Sequence, residues 1–207
     1  MTITMRNKVF FPVVEKTKIF QCIKFSPRVF FDYRGEYIET YNQKFYSKYC
    51  VKKFVQDDIS QSRKNVLRGL HGDSSTWKLV QCLFGEILFT VLDCRLESNT
   101  FGIYQQWILN DKNRWQILVP NGCANGHYCL SEKCVFSYKQ TTYYEHQEQF
   151  SYHYLSCDIP WPAKDVILSE RDKMAKALKL TLWILKTNKW WTSFLLQQIL
   201  HKLHIKV

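Results

Sequence analysis

The chain has 207 residues, rich in aromatics (14 Phe, 12 Tyr, 7 Trp) and poor in Gly (7) and Pro (5). That length suits one domain with a sizeable core rather than two, and the composition excludes a disordered chain. The net charge of +11 is weak evidence for nucleic acid: six of those charges are lysines in the acid-free stretch 174–207, and no nucleic-acid motif accompanies them. A mildly basic body still suits an anionic ligand such as a nucleotide diphosphate. The first residues, Met1 to Lys8, lack the apolar run of a signal peptide. The eight cysteines form no CxxC pair and no zinc-finger spacing, so reduced thiols in a cytoplasmic protein are expected.

In chain order, Val29 to Ser169 shows short apolar stretches separated by turn residues. Strands are predicted at 66–70, 79–84, 86–92, 104–109, 115–119 and 134–138, with turns at Gly85, Asn110-Asp111 and Pro120 to Gly122. Closely spaced strands without helical periods between them predict a mainly β, antiparallel barrel. From Arg171 onward the pattern predicts helix, and the chain divides into residues 1–173 and a basic, apolar tail, 174–207. The tail's apolar run is broken by Lys186, Asn188 and Lys189, so it falls short of a membrane span. Two amphipathic helices packed on the barrel or on a second subunit are expected there; a basic helix with weak affinity for a membrane surface is the alternative.

Several stretches carry the chemistry. They are Phe31-Asp-Tyr-Arg34-Gly35 with Glu39; Phe54-Val-Gln56 leading into Arg68-Gly69-Leu-His71-Gly72; and Lys78-Leu-Val. After these come Asn125-Gly-His127-Tyr128, Tyr138-Lys-x-Thr-x-x-Tyr144 and Leu168-Ser169-x-x-Asp172. In that order and spacing they resemble the dTDP-4-dehydrorhamnose 3,5-epimerase family, small enzymes of deoxysugar biosynthesis, over about residues 28 to 173. The His71-Gly72-Asp73 and Asn125-x-His127-Tyr128 details lean toward relatives acting on GDP-linked 4-keto-6-deoxyheptoses. The resemblance implies a cupin-type jelly roll and inversion of carbon 3, carbon 5 or both of a nucleotide-linked 4-keto-6-deoxy sugar, for surface polysaccharide. It implies a homodimer and no cofactor, because the substrate already carries its carbonyl.

A carbonyl at carbon 4 acidifies the protons on carbons 3 and 5, and inversion needs a base on one face, an acid on the other and a cation near the enolate oxygen. By the resemblance His71 is the base, Tyr138 the acid and Lys78 the cation. Arg68 would hold a phosphate or the sugar through its guanidinium fork. Arg34 and Glu39 would reach the nucleotide from a partner subunit, with Gln56, Asn125, His127 and Tyr144 as further contacts. His71 and His127 lack the clustered partners of a metal site, so a metal-free site is expected. The family's Trp-Asn-Asp-Pro stretch, expected to supply an aspartate to the base histidine, is altered here between Tyr152 and Asp158, where Asp158 is the only nearby carboxylate. That change keeps open a catalytically silent sugar-nucleotide binder, beside a keto-sugar isomerase on the same scaffold and, on the tail alone, a membrane-associated assembly protein.

Overall fold

A computed structural model describes residues 11–145, 149–162 and 165–178. Two antiparallel sheets face each other. One has six strands in the order β1 (Val13–Lys16), β2 (Ile23–Ser26), β10 (Gln116–Val119), β7 (Lys78–Phe84), β12 (Lys133–Gln140), β5 (Gln56–Arg63). The other has five: β13 (Gln149–Ser151), β6 (Leu67–Asp73), β11 (Cys123–Cys129), β8 (Glu86–Asp93), β9 (Tyr104–Asn110). A separate hairpin, β3 (Val29–Asp32) with β4 (Gly35–Ile38), forms an arm, and α1 (Gln43–Tyr46) follows it. The expected antiparallel β architecture is present.

Alternation explains the layering. On β7, Val80 and Cys82 point between the sheets, where they meet Phe136 of β12, Ile87 and Phe89 of β8, and Trp107 and Leu109 of β9. The intervening Leu79 turns to the outer face and packs with Leu118 against Phe25, Phe45 and Tyr46. The five-stranded sheet is covered likewise, Leu70, Leu92 and Ala124 packing against Ile159, Phe150 and Trp161. Burial on both faces is why β7 is a nearly continuous apolar run. All eight cysteines are free thiols, most buried as small apolar side chains, and burial pushes those of Cys22 and Cys82 up to about 12.

Each of the six predicted strands is found, within a few residues at its ends. The strands β1 to β5, β11 and β13 are not among the expected ones; β11 reads Cys-Ala-Asn-Gly-His-Tyr-Cys and owes its place to pairing on both edges, with β6 and β8. Among the described residues, the helix expected from Arg171 onward is present as α2 (Glu170–Met174). At Ala175 the backbone turns extended, Lys176 bridges to Tyr152, and Leu178 packs on the outer apolar cluster. The expected tail helices lie outside the described residues beyond 178. Among the described residues no helix is long and apolar enough to cross a membrane.

One irregularity shapes everything that follows. In the β6–β11 pair His71 is opposite Asn125 and Arg68 opposite His127, so Gly69 and Leu70 together face the single residue Gly126. This bulge puts Arg68 and His71, an odd number of positions apart, on the same face. It requires glycine: Gly69 has φ +130°, and a Cβ there would stand 2.5 Å from Gly126 Cα and 2.8 Å from the Asn125 carbonyl oxygen. Gly69→Ala should therefore cost about 2 kcal/mol or more of unfolding free energy, read by urea denaturation. An unchanged midpoint would show that the bulge tolerates a side chain.

Candidate functional site

The base candidate is built from two distant segments. Ser169 caps the short helix α2, its hydroxyl accepting from the Asp172 backbone N–H at 3.2 Å. That cap aims the buried Asp172 side chain at β6, where its Oδ1 lies 2.5 Å from His71 Nε2 across 101 residues of sequence. Burial alone would push the Asp172 carboxyl up, but hydrogen bonds from His71, Ser169 and the Gly69 N–H hold it below the usual carboxylate range. An ionised carboxylate only accepts, so His71 Nε2 carries the hydrogen and the lone pair sits on Nδ1. The carboxylate expected near Asp158 is thus supplied by Asp172; Asp158 sits in a 3₁₀ turn, Ser156–Asp158, and is no partner of the imidazole.

Facing this pair across a cavity of about 650 Å³ is the six-stranded sheet. Lys78 of β7 and Tyr138 of β12 line that wall, with Lys78 Nζ 5.9 Å from the centre of the Tyr138 ring. Burial pulls the Lys78 ammonium below the usual lysine value; Asp73 and Asp58 oppose that pull and Arg171 adds to it. Burial and the nearby Asp58 carboxylate push the Tyr138 phenol above its usual value, against Arg68. Arg63, Arg68 and Arg171 join Lys78 around the cavity, so its walls are strongly cationic and suit an anion. Arg171 is fixed by Ser151 Oγ at 2.9 Å and Gln149 Oε1 at 3.3 Å.

Among the described residues, three buried polar atoms lining this cavity have no hydrogen-bond partner: Ser60 Oγ, Asn125 Oδ1 and His127 Nε2. Unpaired buried groups cost roughly 1–3 kcal/mol each, so a ligand that pairs them gains that free energy back. His127 is stacked on Phe136 at 4.3 Å between ring centres, and burial, with Arg68 and His71 nearby, lowers its imidazole to about 3. It is therefore neutral at physiological pH and suited to hydrogen bonding rather than to carrying charge. Among the described residues no three His, Cys, Asp or Glu side chains converge as metal ligands.

Of the residues singled out in the sequence, His71, Lys78, Tyr138, Arg68, Asn125, His127 and Tyr144 line the one cavity. Gln56 stands behind the wall, its Oε1 accepting from the Tyr144 N–H at 2.9 Å. Arg34 and Glu39 are not brought there within the chain: they lie on or beside the β3–β4 arm, around a separate hollow of about 930 Å³. Sequence reasoning missed Asp172, Arg171, Arg63 and Ser60 as parts of the site. The Ser169-x-x-Asp172 spacing was visible, and as a helix cap it marked Asp172 as fixed in place.

A family model described as dTDP-4-dehydrorhamnose 3,5-epimerase matches residues 16–179. The dTDP-4-dehydrorhamnose 3,5-epimerase of Salmonella typhimurium is 39% identical over 181 residues, covering 82% of this chain and 97% of that one. The enzyme of the same name from Pseudomonas aeruginosa is 39% identical, with 75% and 90% covered. Among solved structures, dTDP-6-deoxy-D-glucose-3,5-epimerase from Legionella pneumophila in complex with dTDP-4-keto-L-rhamnose superposes with TM-score 0.77 at 39% identity, covering 80% and 92%. The Bacillus anthracis dTDP-4-dehydrorhamnose 3,5-epimerase with TDP and PPi bound gives TM-score 0.77 at 33% identity, covering 81% and 99%.

The Asp172 carboxyl is depressed in the folded state, so it contributes stability above its unfolded value that is lost as pH falls through the folded one. Stability should decline on acidification below about pH 4, and Asp172→Asn should remove that part of the dependence while costing about 2 kcal/mol at pH 7. Denaturant unfolding between pH 3 and 7 measures both. Parallel curves for the two proteins would mean the pair contributes nothing to folding.

Proposed function

Since the chain belongs to the dTDP-4-dehydrorhamnose 3,5-epimerase family, we propose that His71 and Tyr138 exchange protons on opposite faces of its keto-sugar substrate. The chain is an epimerase of nucleotide-linked 4-keto sugars. His71 Nδ1 takes the proton from the carbon beside the carbonyl, and the electron pair moves into an enolate whose oxygen is held by the Lys78 ammonium. Tyr138 gives its phenolic proton to the same carbon from the other side, and solvent restores both groups. Asp172 keeps the imidazole oriented and stabilises the imidazolium that forms. The observation that carries this reading is that His71 stands on one sheet and Tyr138 on the sheet facing it, with one cavity between them.

Arg68, Arg171 and Arg63 take the diphosphate, and Asn125 and His127 take sugar hydroxyl or carbonyl groups. Tyr144 closes the wall, held by Gln56. The relatives named above carry dTDP in their names, so dTDP is the nucleotide to test first, with GDP-linked heptose as the competitor that the sequence details favour. Arg34 and Glu39 serve a second subunit's site from the β3–β4 arm. That arm exposes Phe31 (76%), Tyr33 (96%) and Tyr37 (69%), a surface suited to a partner chain. A cytoplasmic homodimer in surface-polysaccharide sugar biosynthesis goes with this reading. The silent-binder alternative rested on a missing carboxylate, and the His71–Asp172 pair removes that ground.

Incubated in deuterated water with dTDP-4-keto-6-deoxyglucose, the protein should place deuterium at carbon 3 or carbon 5, followed by proton NMR. His71→Asn should slow that exchange by roughly a hundredfold or more. Exchange at the wild-type rate in His71→Asn would remove the histidine from the mechanism.

A further inference from the structure

The inward faces of β5, β12 and β7 carry two rows of side chains. Gln56, Gln140 and Lys78 lie in register as one row, and Asp58, Tyr138 and Val80 as the next. Residues two apart on a strand share a face, so Asp58 stands beside Tyr138 and one row from Lys78, half-buried. Its Oδ2 accepts from Gln56 Nε2 at 2.9 Å and from Gln140 Nε2 at 3.0 Å. Two amides from the neighbouring row thus pin the carboxylate beside the phenol, on the face it shares with the ammonium. An asparagine oxygen could accept the same two N–H groups, so the hydrogen bonds alone do not call for a charge at this position.

We propose that Asp58 is a positioning residue of the epimerisation, whose negative charge keeps the proton on Lys78 and on Tyr138 without touching the substrate. The inference rests on the roles proposed for those two residues and goes beyond them. Lys78 is faced by Asp73 from β6, Arg171 from α2, Asp58 from β5 and the Tyr138 ring from β12. Tyr138 is faced by Asp58, Tyr144 and Arg68. Burial works against the ammonium and Arg171 adds to that pull, while among the described residues Asp73 and Asp58 oppose it. The Asp73 carboxylate also ties its own turn, its Oδ1 accepting from the Ser75 N–H at 2.7 Å, the Ser75 hydroxyl at 2.8 Å and the Thr76 N–H at 3.0 Å. Asp58 has no such turn to hold, which leaves its field as what it supplies. Removing that charge weakens the hold on both protons, so both groups then titrate at lower pH.

The test uses the full chain with Asp58→Asn, and Asp58→Glu as the conservative variant. In protein carrying ¹³C-labelled lysine, the Lys78 Cε resonance, assigned through Lys78→Arg, reports that ammonium directly and needs no turnover. Its midpoint should fall in Asp58→Asn by roughly half a unit to one unit and return toward wild type in Asp58→Glu. The alkaline limb of kcat/KM should move to lower pH by a similar amount, with KM near the optimum changed less than about threefold. A Lys78 midpoint that stays in place in folded Asp58→Asn overturns the inference. Activity lost equally at every pH, with no shift of the limb, also overturns it and marks Asp58 as structural. A midpoint that moves while the limb does not shows that the roles given to Lys78 and Tyr138 are wrong, and the inference falls with them.

Discussion

A hydrogen bond between an imidazole on β6 and a carboxylate on α2 ties the late part of the described chain to the five-stranded sheet. His71 Nε2 and Asp172 Oδ1 are 2.5 Å apart, and the pair needs three separate local devices to form. The Ser169 cap fixes the direction of Asp172, the Gly69 bulge turns His71 inward, and the Gly69 N–H adds a bond to the carboxylate. None of these is strong alone, but each restricts the others, and the result is a buried charge satisfied from several sides. An imidazole held this way has its tautomer set before a substrate arrives.

The opposite wall works by a different balance. Lys78 is almost fully buried (8% exposed), and burial favours its neutral amine. An ammonium that is poorly solvated meets a developing enolate with little water to displace, so its attraction is larger than at a surface. The same burial makes the ammonium vulnerable, and the carboxylates at 58 and 73 offset it. In the proposed reading the rim cations, Arg63, Arg68 and Arg171, serve the anionic end of a nucleotide sugar, which leaves binding charge and catalytic charge to different residues.

Much of this was legible in the sequence because it is local. The strands around Leu79, Ile87 and Leu109 announce themselves by apolar runs between turns, and the ordered motifs carried His71, Lys78 and Tyr138 into one cavity. What was not legible is non-local or irregular. The strand β11 has almost no apolar alternation, because Asn125 and His127 face a cavity and Gly126 must let β6 approach. Arg68 and His71 sit three apart, which on a regular strand would separate them, and only the bulge reunites them. The carboxylate partner was sought in the altered stretch before Asp158, whereas a contact spanning 101 residues leaves no spacing signal. The helix expected after Arg171 stops at Met174, since pairing of Lys176 with Tyr152 wins over helical propensity.

The proposed mechanism gives proton removal and proton return to different residues on facing sheets. Tyr138→Phe in deuterated water tests it most directly, with label position and product configuration followed together by NMR. Deuterium should still enter beside the carbonyl with configuration retained, while the inverted product is suppressed about a hundredfold or more. Inversion at the wild-type rate in Tyr138→Phe would contradict it, because the proton would then return to the second face from some other source.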